Sequence, residues 1–401
     1  MSGAAMLSDG VIKAFAAGVK GQVLRPGEDG YDAARQVWNG MIDKRPALVA
    51  RCAAAEDVVA AVNLARDHGL LLAVRGGGHS ASGTGVCDGG LLIDLSGMKA
   101  IRVDAAARTA QAEGGATWGD LDRETQAFGL ATPGGVVSTT GIAGLTLGGG
   151  VGWLVRKYGL ACDNLLSVDI VTADGRLRTA SATEHPDLFW AVRGGGGNFG
   201  VVTRFEYRLH PVGPQVLAGL LIHPRARAPE MLKFWRDFTR TAPEDLATYA
   251  ALAHAPDGTP VAIIIVCYHG PLAEGEAVIR PLREFGPPLQ DAVQPMPYVE
   301  FQTALNGTGP AGKRAYWKSS FLRAPLDDAA LDTVVEHAMA LPAPLSATIL
   351  EFYGGAVNRV PAGATAYPHR DAVYLLNILT LWDEAGADDA NIRWVRGLFD
   401  A

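Results

Sequence analysis

The chain has 401 residues, a formal net charge of −7, 48% hydrophobic and 19% charged residues. That length exceeds one ordinary core and points to two globular domains. An acidic chain without a basic stripe has no electrostatic footprint for nucleic acid, and no apolar run approaches the ~18–20 residues that span a bilayer.

Residues 1–40 read as helical and peripheral. The first thirty show no basic stretch followed by an apolar core, so no secretion signal is expected and a cytoplasmic setting follows. Arg45 to Cys52 alternates as a short strand. Glu56 to His68 places Val58, Ala61, Val62 and Ala65 on one helical face, and Gly69 ends that helix.

Leu70 to Val74 reads as a buried strand that runs into Arg75-Gly76-Gly77-Gly78-His79-Ser80. Bare glycines after a strand present successive backbone N–H groups, an anion-binding nest, and allow close approach of a ligand. Arg75 adds positive charge beside it. His79 then sits on the rim of a phosphate cradle with a nucleophilic ring nitrogen.

Gly90 to Leu95 and Ala110 to Glu113 are further strands. Thr117 caps a helix through Gln126, with Asp120 at the third position and Leu121, Thr125 and Phe128 on its apolar side. Ser167 to Thr172 and Arg176 to Thr179 form a hairpin whose Asp174-Gly175 supplies a positive-φ pair. Pro186 opens a short helix to Arg193. Val201 to Leu209 alternates as a strand, and His210-Pro211-Val212-Gly213-Pro214 breaks regular structure. The expected domains are therefore 1–213 and 214–401.

In the second half, Val261 to Tyr268 and Tyr374 to Trp382 are strands. Pro229 to Thr239, Leu272 to Phe285 and Asp327 to Ala340 are helical. This mixture suggests an α+β layer with helices on one face of an antiparallel sheet. Cys52, Cys87, Cys162 and Cys267 show no paired or metal-ligand spacing and read as free thiols of a reducing compartment; no metal site is expected.

Gly195, Gly197 and Gly200 match G-x-G-x-x-G, but Val201-Val202-Thr203 begins a strand where a dinucleotide fingerprint needs a helix. A nicotinamide site is rejected on that ground. Gly141 to Gly152 is a third glycine cluster. Three such segments in the first half outline one extended ligand with a pyrophosphate, a ribityl chain and a planar ring.

The segments Arg75 to Ser80, Thr139 to Gly144, Gly148 to Asn164 and Arg193 to Thr203 occur in the order and pattern of the berberine-bridge-enzyme-like flavin-linked oxidases. The chain resembles that group, which has the two-domain PCMH-type (vanillyl-alcohol-oxidase) flavoprotein fold. Glu351 to Gly355, Tyr367 to Arg370 and Trp382-Asp383 extend the resemblance more loosely.

The resemblance implies FAD attached through His79 to the 8α-methyl carbon of its ring. It implies that Arg75, Gly76, Gly77 and Gly78 hold the pyrophosphate, with Ser80 beside them. Ser138, Thr139, Gly141, Gly144, Gly148, Gly149 and Gly152 would border the ribityl chain and ring. Tyr158, Asp163 and Asn164 would close around the flavin, and Gly200 and Val201 would meet the adenine end.

It further implies hydride transfer from an alcohol, sugar or amine to the flavin, with O2 or another electron acceptor. Asp383 is the expected base and Tyr353 a catalytic partner; His369 and Lys318 are candidate walls of the substrate site. Many relatives carry a second flavin link through a Cys that here is Val137, so attachment through His79 alone is expected. Thr140 occupies the position that governs oxygen access, which leaves oxidase and dehydrogenase both open. Relatives continue beyond Trp394-Val395-Arg396 into a Tyr-x-Asn motif, so truncation is expected. The alternative reading is a flavin-binding protein without turnover.

Overall fold

The computed structural model describes residues 7–323 and 326–401. Residues 1–6 of the expected peripheral helical stretch lie outside the described residues. The chain divides into two units. The first comprises Met1–Val151, Leu160–His210 and Gly363–Pro368; the second comprises Gly152–Gly159, Pro211–Ala362 and His369–Ala401. The expected contiguous domains 1–213 and 214–401 are thus replaced by interleaved ones.

Tertiary contacts explain both exchanges. Arg156 ties its segment to carbonyls of the second unit, described below. Gly363–Pro368 is held in the first unit, where Trp190 Nε1 donates to Gly363 O (2.8 Å) and Arg193 Nη2 to Ala364 O (3.1 Å).

In the first unit, Leu48–Arg51, Leu91–Asp94 and Leu72–Arg75 pair in parallel, and Gln22–Leu24 adds antiparallel to the outer edge of Leu48–Arg51. Helix Ala55–Asp67 makes the crossover and buries Val58, Ala61, Val62 and Ala65 against Leu48, Ala50, Leu91 and Ile93. Leu48, Val49 and Ala50 are all buried, so the alternation expected there is absent: a parallel strand covered on both faces has no solvent side.

A second, antiparallel sheet has the order Ile101–Asp104, Thr109–Glu113, Val201–Arg208, Leu165–Val171, Leu177–Ser181. Helix Trp118–Gln126 starts at Thr117, whose hydroxyl accepts from the Asp120 amide while the Asp120 carboxylate accepts from the Thr117 amide. Phe128, expected on the apolar side, is 55% exposed, because the helix ends two residues before it. The hairpin also departs from expectation. Only Gly175 has positive φ (+73°), and Gly175 N–H donates to Thr172 O while Thr172 N–H donates to Arg176 O. This is a three-residue loop closed by one left-handed glycine, not a positive-φ pair.

The second unit is built on an antiparallel sheet with the order Gln290–Asp291, Gln215–Pro224, Pro260–Tyr268, Leu246–His254, Ala347–Phe352, Tyr374–Trp382, Arg314–Leu322; Gln294–Pro297 also pairs with Gln215–Pro224. One face packs under helices Ala228–Thr239, Leu272–Glu284, Asp328–Ala338 and Asp388–Asp400, through Trp235, Ile279, Leu331, Trp394 and strand residues such as Ala250, Ile264, Leu350 and Ile378. The α+β class is therefore observed. The opposite face carries Tyr249, Glu351, Asn377 and Trp317, since opposite partners in an antiparallel ladder share a face and alternate along it.

Arg156 is 4% exposed. Its guanidinium donates to Gly354 O (3.0 Å), Pro243 O (2.6 Å), Leu246 O (2.5 Å) and Ala242 O (3.2 Å), and lies 3.8 Å from the Phe352 ring centroid. Burial pulls its pKa down to about 10, which leaves it charged at neutral pH. Arg156→Met would strand four carbonyl acceptors. The expected loss is ~3 kcal/mol or more in urea denaturation followed by tryptophan fluorescence. Arg156→Lys should recover only part of it, since an ammonium lacks the planar fork. An unchanged midpoint for Arg156→Met would refute the clamp.

Candidate functional site

Two glycine loops of the first unit meet backbone to backbone. A Cβ on Gly77 would lie 2.5 Å from Gly141 N, and one on Gly141 would lie 2.4 Å from Gly77 N. No side chain fits in either place. Gly78 follows with φ +67°, and His79 emerges next. Its Nε2 lies 3.2 Å from Thr139 Oγ1, and its ring stacks on Trp38. Burial pushes the imidazole pKa down, so the ring is neutral at neutral pH. Bare backbone plus a neutral ring nitrogen at its rim fits FAD held as the sequence suggests.

Arg75 departs from its expected role. Its Nη2 and Nε pair with the two carboxylate oxygens of Asp94 (2.7 and 3.1 Å), and Nη1 donates to Gln36 O. Arg51 Nε adds 3.2 Å from the same fully buried carboxylate. The charge of Arg75 is spent inside the protein, where it locks the Arg75–Asp94 pair at the strand ends. All three of its guanidinium nitrogens have protein partners.

The other expected cofactor residues fall into three settings. Some face the cradle: Ser138 is buried and its carbonyl accepts from Gly119 N–H, while Thr140 O accepts from Trp118 N–H, which fixes the loop that carries Thr139. Gly144 lies inside the short helix Ile142–Leu147 and Gly148 caps it. A second set builds the fold. Gly149 approaches the Tyr367 ring, Asp163 accepts from Leu160 N–H, Asn164 Oδ1 bonds His210 Nε2 at 2.6 Å, and a Cβ on Gly200 would strike Val171 O at 2.4 Å. Val201 pairs with Val171, so the G-x-G-x-x-G match leads into a strand, as its sequence required. Ser80 Oγ lies 3.0 Å from the hydroxyls of Ser82 and Thr84. The third set, Gly152 and Tyr158, belongs to the second unit, where Tyr158 Oη donates to Pro211 O (3.4 Å) and its ring stacks with His269.

The second unit carries a polar group that the sequence reading missed. Glu351 is buried on the helix-free face of the sheet. Asn377 Nδ2 donates to its Oε1 (2.6 Å), and Trp317 Nε1 donates to Asn377 Oδ1 (2.9 Å). The Tyr249 hydroxyl lies beside the same carboxyl and has no partner that meets hydrogen-bond geometry. Burial raises the Glu351 pKa to about 7, against the pull of Asn377 and Tyr249. No ion pair to it is seen among the described residues. Trp317 and Ser319, on the same face of the edge strand, are exposed, so this side opens to solvent. The signal in the sequence was one acid alternating with Ile349 in an otherwise apolar strand.

Asp383 has a different setting from the base expected there. Its carboxylate is 68% exposed and 2.5 Å from Lys313 Nζ, beside an open cleft of about 320 Å³ lined by Pro344, Leu345 and Trp382. It lies six residues, or ~20 Å of extended strand, beyond Asn377. Its carboxylate is thus held by a lysine at the surface. Tyr353 is fully buried, and its ring meets Phe321 edge-on, which itself stacks on His369 at 4.2 Å. Lys318 projects to the opposite face, with Nζ 3.6 Å from the Phe399 ring centroid in the helix layer, and so lines no site with Glu351.

Residues 46–181 match the FAD binding domain family. The chain is 33% identical over 368 residues to an FAD-linked oxidoreductase of Dictyostelium discoideum, covering 91% of this chain and 80% of that protein. The crystal structure of 6-hydroxy-D-nicotine oxidase from Arthrobacter nicotinovorans superposes with a TM-score of 0.84 at 31% identity, over 95% of this chain and 85% of that one. Physcomitrella patens BBE-like 1 gives a TM-score of 0.88 at 26% identity, over 97% and 87%.

The raised Glu351 pKa has a consequence for stability. The folded protein holds this proton more tightly than the unfolded chain, whose carboxyl titrates near 4.5. The contribution is full below that value and is lost as pH rises to about 7. Glu351→Gln should therefore gain stability relative to the parent between pH 4.5 and 8, by up to about 3 kcal/mol. Urea midpoints measured across that range check it; a difference that does not change with pH would refute the shift.

Proposed function

The chain belongs to the FAD-linked oxidoreductases of the berberine-bridge-enzyme-like group, and on that premise we propose that it oxidises a small molecule at a C–H bond beside nitrogen or oxygen, with FAD tethered by His79. The observation that carries this reading is the neutral imidazole at the rim of the Gly77–Gly141 contact.

FAD, when bound, supplies the hydride acceptor. The chain supplies the rest. The paired glycines let main-chain amides approach a pyrophosphate without a side chain between them. His79 offers a ring nitrogen for attachment, and Val137 offers no thiol, so one link is made.

Glu351 is the group we assign to proton removal from the donor's O–H or N–H. A carboxyl that titrates near neutrality is suited to exchange a proton at working pH, while Asp383 is exposed and held by Lys313. Asn377 orients it, and Trp317 in turn orients Asn377. Rates should rise with pH up to about 7 and then level. O2 is the proposed acceptor, and likeness to a 6-hydroxy-D-nicotine oxidase supports an amine among the donors to try first. Four buried free cysteines suit a reducing, cytoplasmic setting.

The test has two arms. Protein purified from flavin-replete cells should keep its yellow colour through acid precipitation, and His79→Ala should release it. Anaerobic addition of cyclic amines, sugars and alcohols should then bleach the visible flavin band. Glu351→Gln should slow bleaching ~100-fold and flatten its pH profile. Denaturant-resistant flavin in His79→Ala would overturn the tether, and no bleaching with any donor would leave a flavin carrier without turnover.

A further inference from the structure

Tyr249 and Glu351 stand side by side on neighbouring strands of the second unit. They are direct partners in the antiparallel ladder of Leu246–His254 and Ala347–Phe352, so both side chains lie on the helix-free face. Tyr249 is 3% exposed. Its ring stacks on Trp153, with centroids 4.7 Å apart and planes 24° from parallel, and Trp153 in turn meets Phe301 at 4.8 Å. The ring is held in place, while the phenolic O–H can still turn about its C–O bond.

The hydroxyl at the end of this fixed ring is buried and has no hydrogen-bond partner. Leaving a buried donor unmet costs free energy. Glu351 is incomplete in the same way. Asn377 Nδ2 donates to Oε1 (2.6 Å), and Oε2 receives no donor among the described residues. One unmet hydroxyl thus lies beside one unmet carboxyl oxygen. The terminal torsion of a glutamate is soft, so a small turn of the carboxyl brings the two together.

We propose that Tyr249 is a positioning residue for proton transfer: its hydroxyl donates to Glu351 Oε2 when the carboxyl is ionised, accepts from it when the carboxyl is protonated, and so sets the pH at which Glu351 acts as a base. This rests on the reading of Glu351 as the group that takes the donor's proton. A phenol can serve in either direction. The bond to a carboxylate is charge-assisted and the stronger of the two, so Tyr249 favours the ionised form. Its pull on the Glu351 pKa has that direction and opposes burial. No charged group acts on Glu351 among the described residues. The other titratable groups that face Tyr249 are the Cys267 thiol, whose pKa burial pushes up, and the Tyr298 hydroxyl.

In the transfer, the donor's O–H or N–H bond breaks and an O–H bond forms at Glu351 Oε2. The electron pair stays on the donor's heteroatom. Tyr249 reverses its hydrogen bond and keeps its own proton.

The experiment reads the carboxyl directly. Holoenzyme isotope-labelled in its glutamate carboxyl carbons is titrated by NMR, and the Glu351 signal is the one missing from Glu351→Gln. The parent signal should titrate at about pH 7. Tyr249→Phe keeps a ring on Trp153 and removes the hydroxyl alone. Its Glu351 signal should titrate about one pH unit higher, and the pH at which anaerobic flavin bleaching reaches half its plateau should rise equally. Below both midpoints, bleaching should be about tenfold slower than in the parent. In the Glu351→Gln background, Tyr249→Phe should leave the bleaching profile unmoved.

A Glu351 midpoint in Tyr249→Phe that matches the parent would overturn the proposal and leave Glu351 as the base. So would a profile that still moves without Glu351. A parental bleaching profile that ignores the Glu351 midpoint would remove the base, and the role of Tyr249 with it. Should Tyr249→Phe not fold, the parent decides. With labelled tyrosine, the Tyr249 ring signal should shift at the midpoint of Glu351, and a signal constant between about pH 5 and 9 would overturn the proposal.

Discussion

The first unit's glycine loops depend on the mutual approach of Gly77 and Gly141. Each occupies the space where the other's Cβ would stand. That contact joins the end of strand Leu72–Arg75 to the loop that precedes helix Ile142–Leu147. It delivers His79 and Thr139, sixty residues apart in sequence, to one hydrogen bond. Side chains have been excluded to make the join.

Buried charge is handled in three distinct ways, each suited to its place. Asp94 is fully buried and paired with both Arg75 and Arg51, with Ser96 N–H and Oγ adding donors. Arg156 is buried among carbonyl oxygens, and its charge is solvated by peptide dipoles. Glu351 has neither device. It meets one amide, so burial raises its pKa until it exchanges a proton near neutrality. The first two arrangements give each buried charge fixed polar partners. The third leaves a group whose charge can change under working conditions, which is the property a proton carrier requires.

Much of the first unit was legible because its signals are local. Thr117 and Asp120 make a capping box that any reader of the sequence can find, and the structure forms it. The strand after Gly200 was legible from three β-branched or apolar residues in a row. The hairpin turn was legible in place but not in type, since its geometry turns on whether one residue or two adopt positive φ. The ion pair of Arg75 was not legible, because its carboxylate partner lies nineteen positions away on a neighbouring parallel strand. The setting of Asp383 was hidden for the same kind of reason. Its sequence neighbours say strand end, while its partner Lys313 comes from another strand's margin and leaves it exposed.

Alone, the sequence determined the class of cofactor, FAD, because ordered glycine-rich motifs are properties of consecutive residues. It also determined the periodicities from which the elements form. Only the tertiary structure decided which charges remain free to act. Ionisation depends on partners and burial, and those arise when strands distant in the chain become neighbours. That is why Arg75 turned inward, why Asp383 stayed an exposed ion pair, and why Glu351, one letter in an apolar strand, became the acid set apart from the rest.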